Sequence, residues 1–388
     1  MRSPSKSHAR AAAFLVTIGY CLFSRRSLGS KSAIRRLVVF GDDWSDTGII
    51  RAVPLPYLEA IVRDPARGEL WAETLCNELA CDLIDNFASS VPMSLNISTV
   101  GSVIDSDVHS AAMKGQGDNL SLIDLKTQVK QFLKYEEKKY RIPRRLRSDD
   151  DWTLFAVFFG LWDLLEYSKL EMEFAMRSVD DSIAELFVQL DVLVAQSSTA
   201  VQIVMPQMID VTFFPRFKPS KDGLDLRVAQ TQHRMLFLQT YWNAVLFQRA
   251  VQWQKGRVFM PDLNDVVIEH VRMKQLYCEG ILDAFGSKER MLLVEDVELP
   301  CVIMSLAGNA TNLHAAAVEK CSDPAAHLFW DDLHLGPSAH KLIGKQAARL
   351  VRGNHTVNTP ATKGGTQGHP RPSRKAGERF TLEFPPNQ

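Results

Sequence analysis

The sequence predicts an α/β fold, a parallel sheet with helices on both faces in a three-layer α/β/α arrangement, and three observations carry that prediction. Short apolar runs alternate along the chain with segments of helical periodicity. The run Trp152 to Phe159 (Trp-Thr-Leu-Phe-Ala-Val-Phe-Phe) is apolar without alternation, the pattern of a strand covered on both faces. Three strand candidates stop at a glycine, Phe40 before Gly41, Val100 before Gly101 and Phe159 before Gly160, as strands do when they deliver a functional loop. Successive parallel strands joined through helices cross over right-handed.

In chain order, Leu37 to Phe40 forms the first strand and is followed by a loop through Pro54, Pro56, Pro65 and Gly68. Trp71, Leu75, Leu79 and Leu83 recur every four residues and predict a helix over 69–83. Met93 to Val100 alternates loosely up to Gly101 and reads as the second strand. Gly115, Gly117 and Asp118 mark an exposed loop over 111–119. A helix over 121–140 groups Leu125, Val129, Phe132 and Leu133, with Glu136-Glu137-Lys138-Lys139 at its solvated end. After the strand at Trp152, a helix over 179–196 presents Ile183, Leu186, Phe187, Leu190 and Leu193 on one side. Ala200 to Met205 is a fourth strand closed by Pro206; a helix over 226–253, a strand over 257–260 and a helix over 262–274 continue the alternation. The last helix, 337–351, starts at Pro337, a residue suited to a first helical turn. No internal repeat is evident, and 353–388, rich in Pro, Gly, Lys and Thr, reads as a disordered tail.

A chain of 388 residues can bury one substantial core, so one domain over 31–352 is the economical expectation, as a single subunit. Lys+Arg 45 balances Asp+Glu 45 and no basic stripe interleaves with aromatics, which removes support for a nucleic-acid partner. Residues 1–30 run from Arg2, Lys6 and Arg10 through the apolar stretch Ala11 to Phe23 into Ser24-Arg25-Arg26-Ser27-Leu28-Gly29-Ser30, the order of a secretory signal, preferred here over a short uncleaved anchor or a mitochondrial presequence. That stretch is shorter than the ~20 residues a membrane span needs, so no stable span is expected. Sequons at Asn96, Asn119, Asn309 and Asn354 agree with a secretory-pathway or secreted location. Of six cysteines, Cys21 lies in the signal; Cys301 and Cys321 flank a loop-like segment and are the best disulfide candidates in an oxidising compartment. Cys76 and Cys81 read as small buried residues on a helix, and the odd count leaves one thiol over.

Four blocks carry residues suited to chemistry: Phe40-Gly41-Asp42-Asp43-Trp44-Ser45-Asp46-Thr47-Gly48, then Asn96-Ile97-Ser98-Thr99-Val100-Gly101-Ser102, Gly160-Leu161-Trp162-Asp163 and Phe329-Trp330-Asp331-Asp332-Leu333-His334. In an open α/β sheet, ligands bind beyond the carboxyl ends of the strands, where the loops after Phe40, Val100 and Phe159 converge.

In their order and spacing the four blocks resemble those of the GDSL-type SGNH hydrolases, which include GDSL lipases and fungal-type carbohydrate acetylesterases. The resemblance implies the SGNH-hydrolase-like, flavodoxin-like version of the fold and hydrolysis of a carboxylic ester, with a small-molecule ester or glycan as substrate and no cofactor or metal. It places Asp43 at the nucleophilic serine position, Gly101 at the backbone oxyanion donor, Trp162 at the side-chain oxyanion donor (an Asn in the family), Asp331 at the orienting carboxylate and His334 at the base. With Asp43 in place of a serine, the carboxylate can act as general base on water with His334 as acid, or accept an acyl group as a mixed anhydride. Ser45 takes the role only after a register shift. A cation held by Asp42, Asp43, Asp331 and Asp332 ranks lowest, since no histidine spacing accompanies them. The rival reading is a catalytically silent relative that binds a glycan or acyl group.

Overall fold

The structure, a computed structural model, describes residues 35–48, 63–92, 99–108, 123–139, 152–197, 200–218, 226–280, 294–306 and 316–358. The expected signal over 1–30, the loop over 111–119 and the tail beyond 358 lie outside the described residues, as do three of the sequons.

The central sheet is parallel throughout and has five strands: β1 (Arg35–Gly41), β2 (Leu83–Asn86), β5 (Trp152–Phe158), β6 (Val201–Val204) and β7 (Gly256–Phe259), in the order β2-β1-β5-β6-β7. Strands β1 and β5 lie at its middle and are almost wholly buried, as their unbroken apolar runs require. Seven α-helices of seven residues or more among the described residues flank the sheet: α1 (Trp71–Leu79), α2 (Leu125–Lys139), α3 (Leu161–Tyr167), α4 (Met172–Gln196), α5 (Leu226–Gln252), α6 (Leu263–Cys278) and α7 (Pro337–Arg352). They pack in two groups, α1 and α6 against α7, and α2, α3 and α5 against α4. Phe40 of β1 anchors the core beneath the first loop: it lies parallel to Phe155 at 6.3 Å and meets Phe132 of α2 edge-on at 5.8 Å.

Two expectations need correction. The helix begun at Trp71 stops at Leu79, not Leu83, because Ala80 turns left-handed (φ 51°) and the N–H of Cys81 bonds back to the carbonyl of Cys76 at 2.9 Å, a Schellman stop. Leu83 and Ile84 then pair with Arg36 and Leu37 as strand β2. The strand expected to end at Val100 is outside the main sheet: β4 (Thr99–Gly101) pairs antiparallel with β3 (Ser90–Pro92) in a hairpin, while 93–98 lie outside the described residues.

A second hairpin, β8 (Val302–Leu306) with β9 (Ala316–Lys320), sits before the final block, and a disulfide joins Cys301 to Cys321 across its base. Residues 353–358, placed by composition in the tail, run back along β7: the N–H of Val357 bonds the carbonyl of Val258 at 2.9 Å, and the Asn358 amide donates to the carbonyls of Trp253 and Gly256.

Candidate functional site

The loop that leaves β1 is pinned at almost every residue. Gln128 of α2 clamps Gly41, donating to its carbonyl at 2.8 Å and accepting its N–H at 3.0 Å. The carbonyl of Asp42 accepts the N–H groups of Ser45 and Asp46, and its carboxylate accepts the N–H of Trp44, closing a turn over 42–46. The Ser45 hydroxyl accepts the indole N–H of Trp71 at 3.0 Å, so that serine is a strut to α1. Asp46 accepts the hydroxyl of Ser90 at 2.7 Å and ties the loop to the hairpin. With its neighbours fixed, the loop projects Asp43 inward, where the residue is only 1 % exposed.

Asp43 meets the two later blocks there. One carboxylate oxygen accepts the indole N–H of Trp162 at 2.8 Å, and the other lies 2.7 Å from His334 Nε2. His334 Nδ1 lies 2.7 and 2.8 Å from the two oxygens of Asp331, which also accepts the N–H groups of Leu333 and His334 and so is locked from behind. Gly160 (φ 133°) turns the chain from β5 into α3 and sets Trp162 in the first turn of that helix; a Cβ at Gly160 would press on the Trp242 ring at 2.9 Å. Gly101 packs against the same indole, since a Cβ there would collide with Trp162 Nε1 and lie 2.6 Å from the Cβ of Asp42. The five residues singled out from sequence thus form one contact cluster.

Arg67 is the member that sequence reading missed. It follows Pro65 in a short turn, donates to the backbone carbonyl of Asp43 at 3.3 Å, and its charge acts on Asp43, Asp331 and Asp46. An arginine in a Pro/Gly-rich loop gives no signal in the sequence, because its partners are remote in the chain.

Burial pulls the His334 imidazole toward its neutral form. The carboxylates of Asp331 and Asp43 outweigh burial and the opposing Arg67, raising its pKa to about 9. Burial acts on Asp331 in the opposite direction, yet His334, the backbone N–H of Leu333 and Arg67 hold this carboxyl well below the usual carboxylate range. At neutral pH the imidazole is therefore a cation between two carboxylates. Two neighbouring carboxyls differ: burial, then Asp43, push Asp42 well above its ordinary range, and burial raises Asp163 to about 7 despite its bond from the N–H of Ile104 at 3.1 Å.

Chemically, this arrangement retains a triad's geometry with one exchange. A hydroxyl in place of the Asp43 carboxylate would face a base oriented by Asp331. Among the described residues no hydroxyl takes that place: the Ser45 hydroxyl accepts the Trp71 indole N–H, and the Trp162 indole lies against Gly101 and donates to Asp43. The four acidic residues weighed as a cation site do not converge: Asp331 serves His334, Asp42 serves the Trp44 N–H, and Asp332 pairs with Arg216 at 2.7 Å. No cluster able to hold a metal ion occurs among the described residues. No helix among them is long and apolar enough to cross a membrane. Neither a protein-family model nor a curated protein sequence matches the chain.

Proposed function

We propose that this chain is an SGNH/GDSL-type hydrolase-fold protein of carboxylic-ester hydrolase ancestry. In this proposal the site is silent in serine-type acyl transfer and the chain binds a small acyl or glycan ligand there. The observation that carries the reading is the 2.7 Å contact from Asp43 to His334 Nε2, with Asp331 on the far nitrogen. A carboxylate stands where the attacking hydroxyl belongs, in a cluster otherwise complete on the base side. Transfer to the secretory pathway belongs to the same proposal, and the Cys301–Cys321 disulfide supports it.

Silence follows from three features. A carboxylate nucleophile yields a mixed anhydride, a high-energy product. The base is already protonated at neutral pH, given its pKa near 9. The donor at the family's asparagine position is an indole already bonded to Asp43. Hydrolysis of short-chain aryl acetates tests this, beside Asp43→Ser, Asp43→Ser/Trp162→Asn and the same double variant with His334→Ala. The wild type is expected to show no turnover. The double variant is expected to exceed Asp43→Ser by ~100-fold or more, the worth of one oxyanion donor, and to lose that gain with His334→Ala. No activity in any variant would sink the hydrolase ancestry.

One observation favours a second reading. An imidazolium held 2.7 Å from Asp43 is already charged as a general acid would be, so Asp43 could activate water while His334 protonates the leaving group. Wild-type turnover abolished by both Asp43→Asn and His334→Ala would establish this reading and overturn the silent one.

A further inference from the structure

Helix α1 ends in a way that brings two thiols together. In a Schellman stop the residue three positions before the cap and the residue just past the left-handed one face each other, and their side chains normally make an apolar contact. Here those positions are Cys76 and Cys81, with left-handed Ala80 between them. The N–H of Cys81 bonds the carbonyl of Cys76 at 2.9 Å and the N–H of Ala80 bonds the carbonyl of Asn77, and the two thiols are close enough to shift each other's ionisation. Cys76 is buried against the core and Cys81 is half-buried at the surface. The chain already contains one oxidised pair, Cys301–Cys321.

We propose that Cys76 and Cys81 form a second, short-range disulfide that staples the end of α1 to the start of β2. The staple would close a left-handed turn at alanine, a residue that gains nothing from that conformation. It would also fix the helix whose Trp71 indole holds Ser45 in the loop carrying Asp43. The inference does not depend on what that loop does.

The oxidant is a small or protein disulfide of the glutathione or dithiol-oxidoreductase class. The accessible partner, Cys81, attacks first: as thiolate it displaces one thiol from the oxidant and forms a mixed disulfide. Its thiol is shifted toward the ionised form by Cys76, against burial, while that of Cys76 is shifted the other way. Cys76 then loses its proton and attacks the Cys81 sulfur, forming the Cys76–Cys81 bond and releasing the second thiol. Two protein thiols are oxidised and one disulfide is reduced to two thiols.

The test uses the full chain, reduced, exchanged with oxidised glutathione, denatured without reductant and capped with N-ethylmaleimide. Glu78 separates the two cysteines, so cleavage after glutamate gives fragments expected to stay joined until dithiothreitol is added. Where that site resists cleavage, the peptide carrying both cysteines is expected to lack adducts and to be lighter by two hydrogens. Recovery of both sulfurs as maleimide adducts, from a sample in which Cys301–Cys321 has formed, would overturn the proposal. Melting of the oxidised protein provides a second readout. Cys76→Ala, Cys81→Ala and the double variant are each expected to lose the same few degrees, and the difference from wild type is expected to vanish on reduction. Losses that persist unchanged after reduction would also overturn it.

Discussion

Two groups of buried carboxylates near Trp162 have fates that diverge. On one side, Asp43 and Asp331 share the His334 cation, with Arg67 close by. On the other, Asp163 has the backbone N–H groups of Ile104 and of its own residue, a second oxygen without a partner, and Asp105 as a charged neighbour. Both groups are equally dry, so burial is not what distinguishes them. What differs is the supply of positive charge: Asp331 is held ionised while Asp163 titrates near 7. The cluster beside His334 is thus an ion network with its own cation, and the group beside Asp163 holds a proton that is lost close to neutral pH.

The largest expected effect breaks the first side outright. His334→Ala leaves Asp43 and Asp331 facing each other without their shared cation and is expected to cost about 3–5 kcal/mol in urea denaturation. A loss below about 1 kcal/mol would mean that the network is not held as an ion pair.

Next comes the pH dependence. His334 has a folded pKa of about 9 against 6.5 for the unfolded side chain, so its contribution is complete below pH 6.5 and is lost as pH rises through 9. That loss is on the order of 3 kcal/mol. Asp163, raised to about 7, stabilises through its bound proton below pH 3.8, and that contribution fades as pH rises through 7. Asp331, held low, works in the reverse sense: its share is present above pH 3.8 and lost in stronger acid. His334 and Asp163 together are therefore expected to give a steady decline in stability from pH 6.5 to 9. A midpoint that rises over that interval would show that the imidazolium does not form.

The smallest effect sharpens the second side. Asp163→Asn keeps the shape and removes the titration, so the variant is expected to match or exceed wild-type stability at pH 8 by about 1 kcal/mol. The part of the decline below pH 7 should flatten, while the part due to His334 remains. An Asp163→Asn protein less stable than wild type at pH 8 would mean that the ionised form is favoured there.

Where the sequence was informative, the physics was local. Trp152 to Phe158 is readable as a doubly covered strand because Leu154 to Phe158 are all apolar and all buried, and α4 because Ile183, Leu186, Phe187, Leu190 and Leu193 all turn to one buried side. Strand β2 was hidden because its last residues are polar: Asp85 is matched by Arg36, and Asn86 by the carbonyl of Ser45, contacts that no local pattern encodes. In the site, Asp331 and His334 are legible because three residues suffice to pair them. That Trp162 bonds Asp43 directly, across 119 positions, and that Arg67 stands beside them, depends on the folded chain.

The segment that follows α7 has a consequence for assembly. Strand β7 is last in the sheet order, and an outermost strand offers its unpaired amides to any passing chain. Here Val357 takes the carbonyl of Val258, the Asn358 side chain accepts the N–H of Val258, and Arg257 reaches Asn354. The protein thereby covers its own border with a few residues of irregular backbone, and the hydrogen-bonding groups of Val258 through which another copy could extend the sheet are already taken.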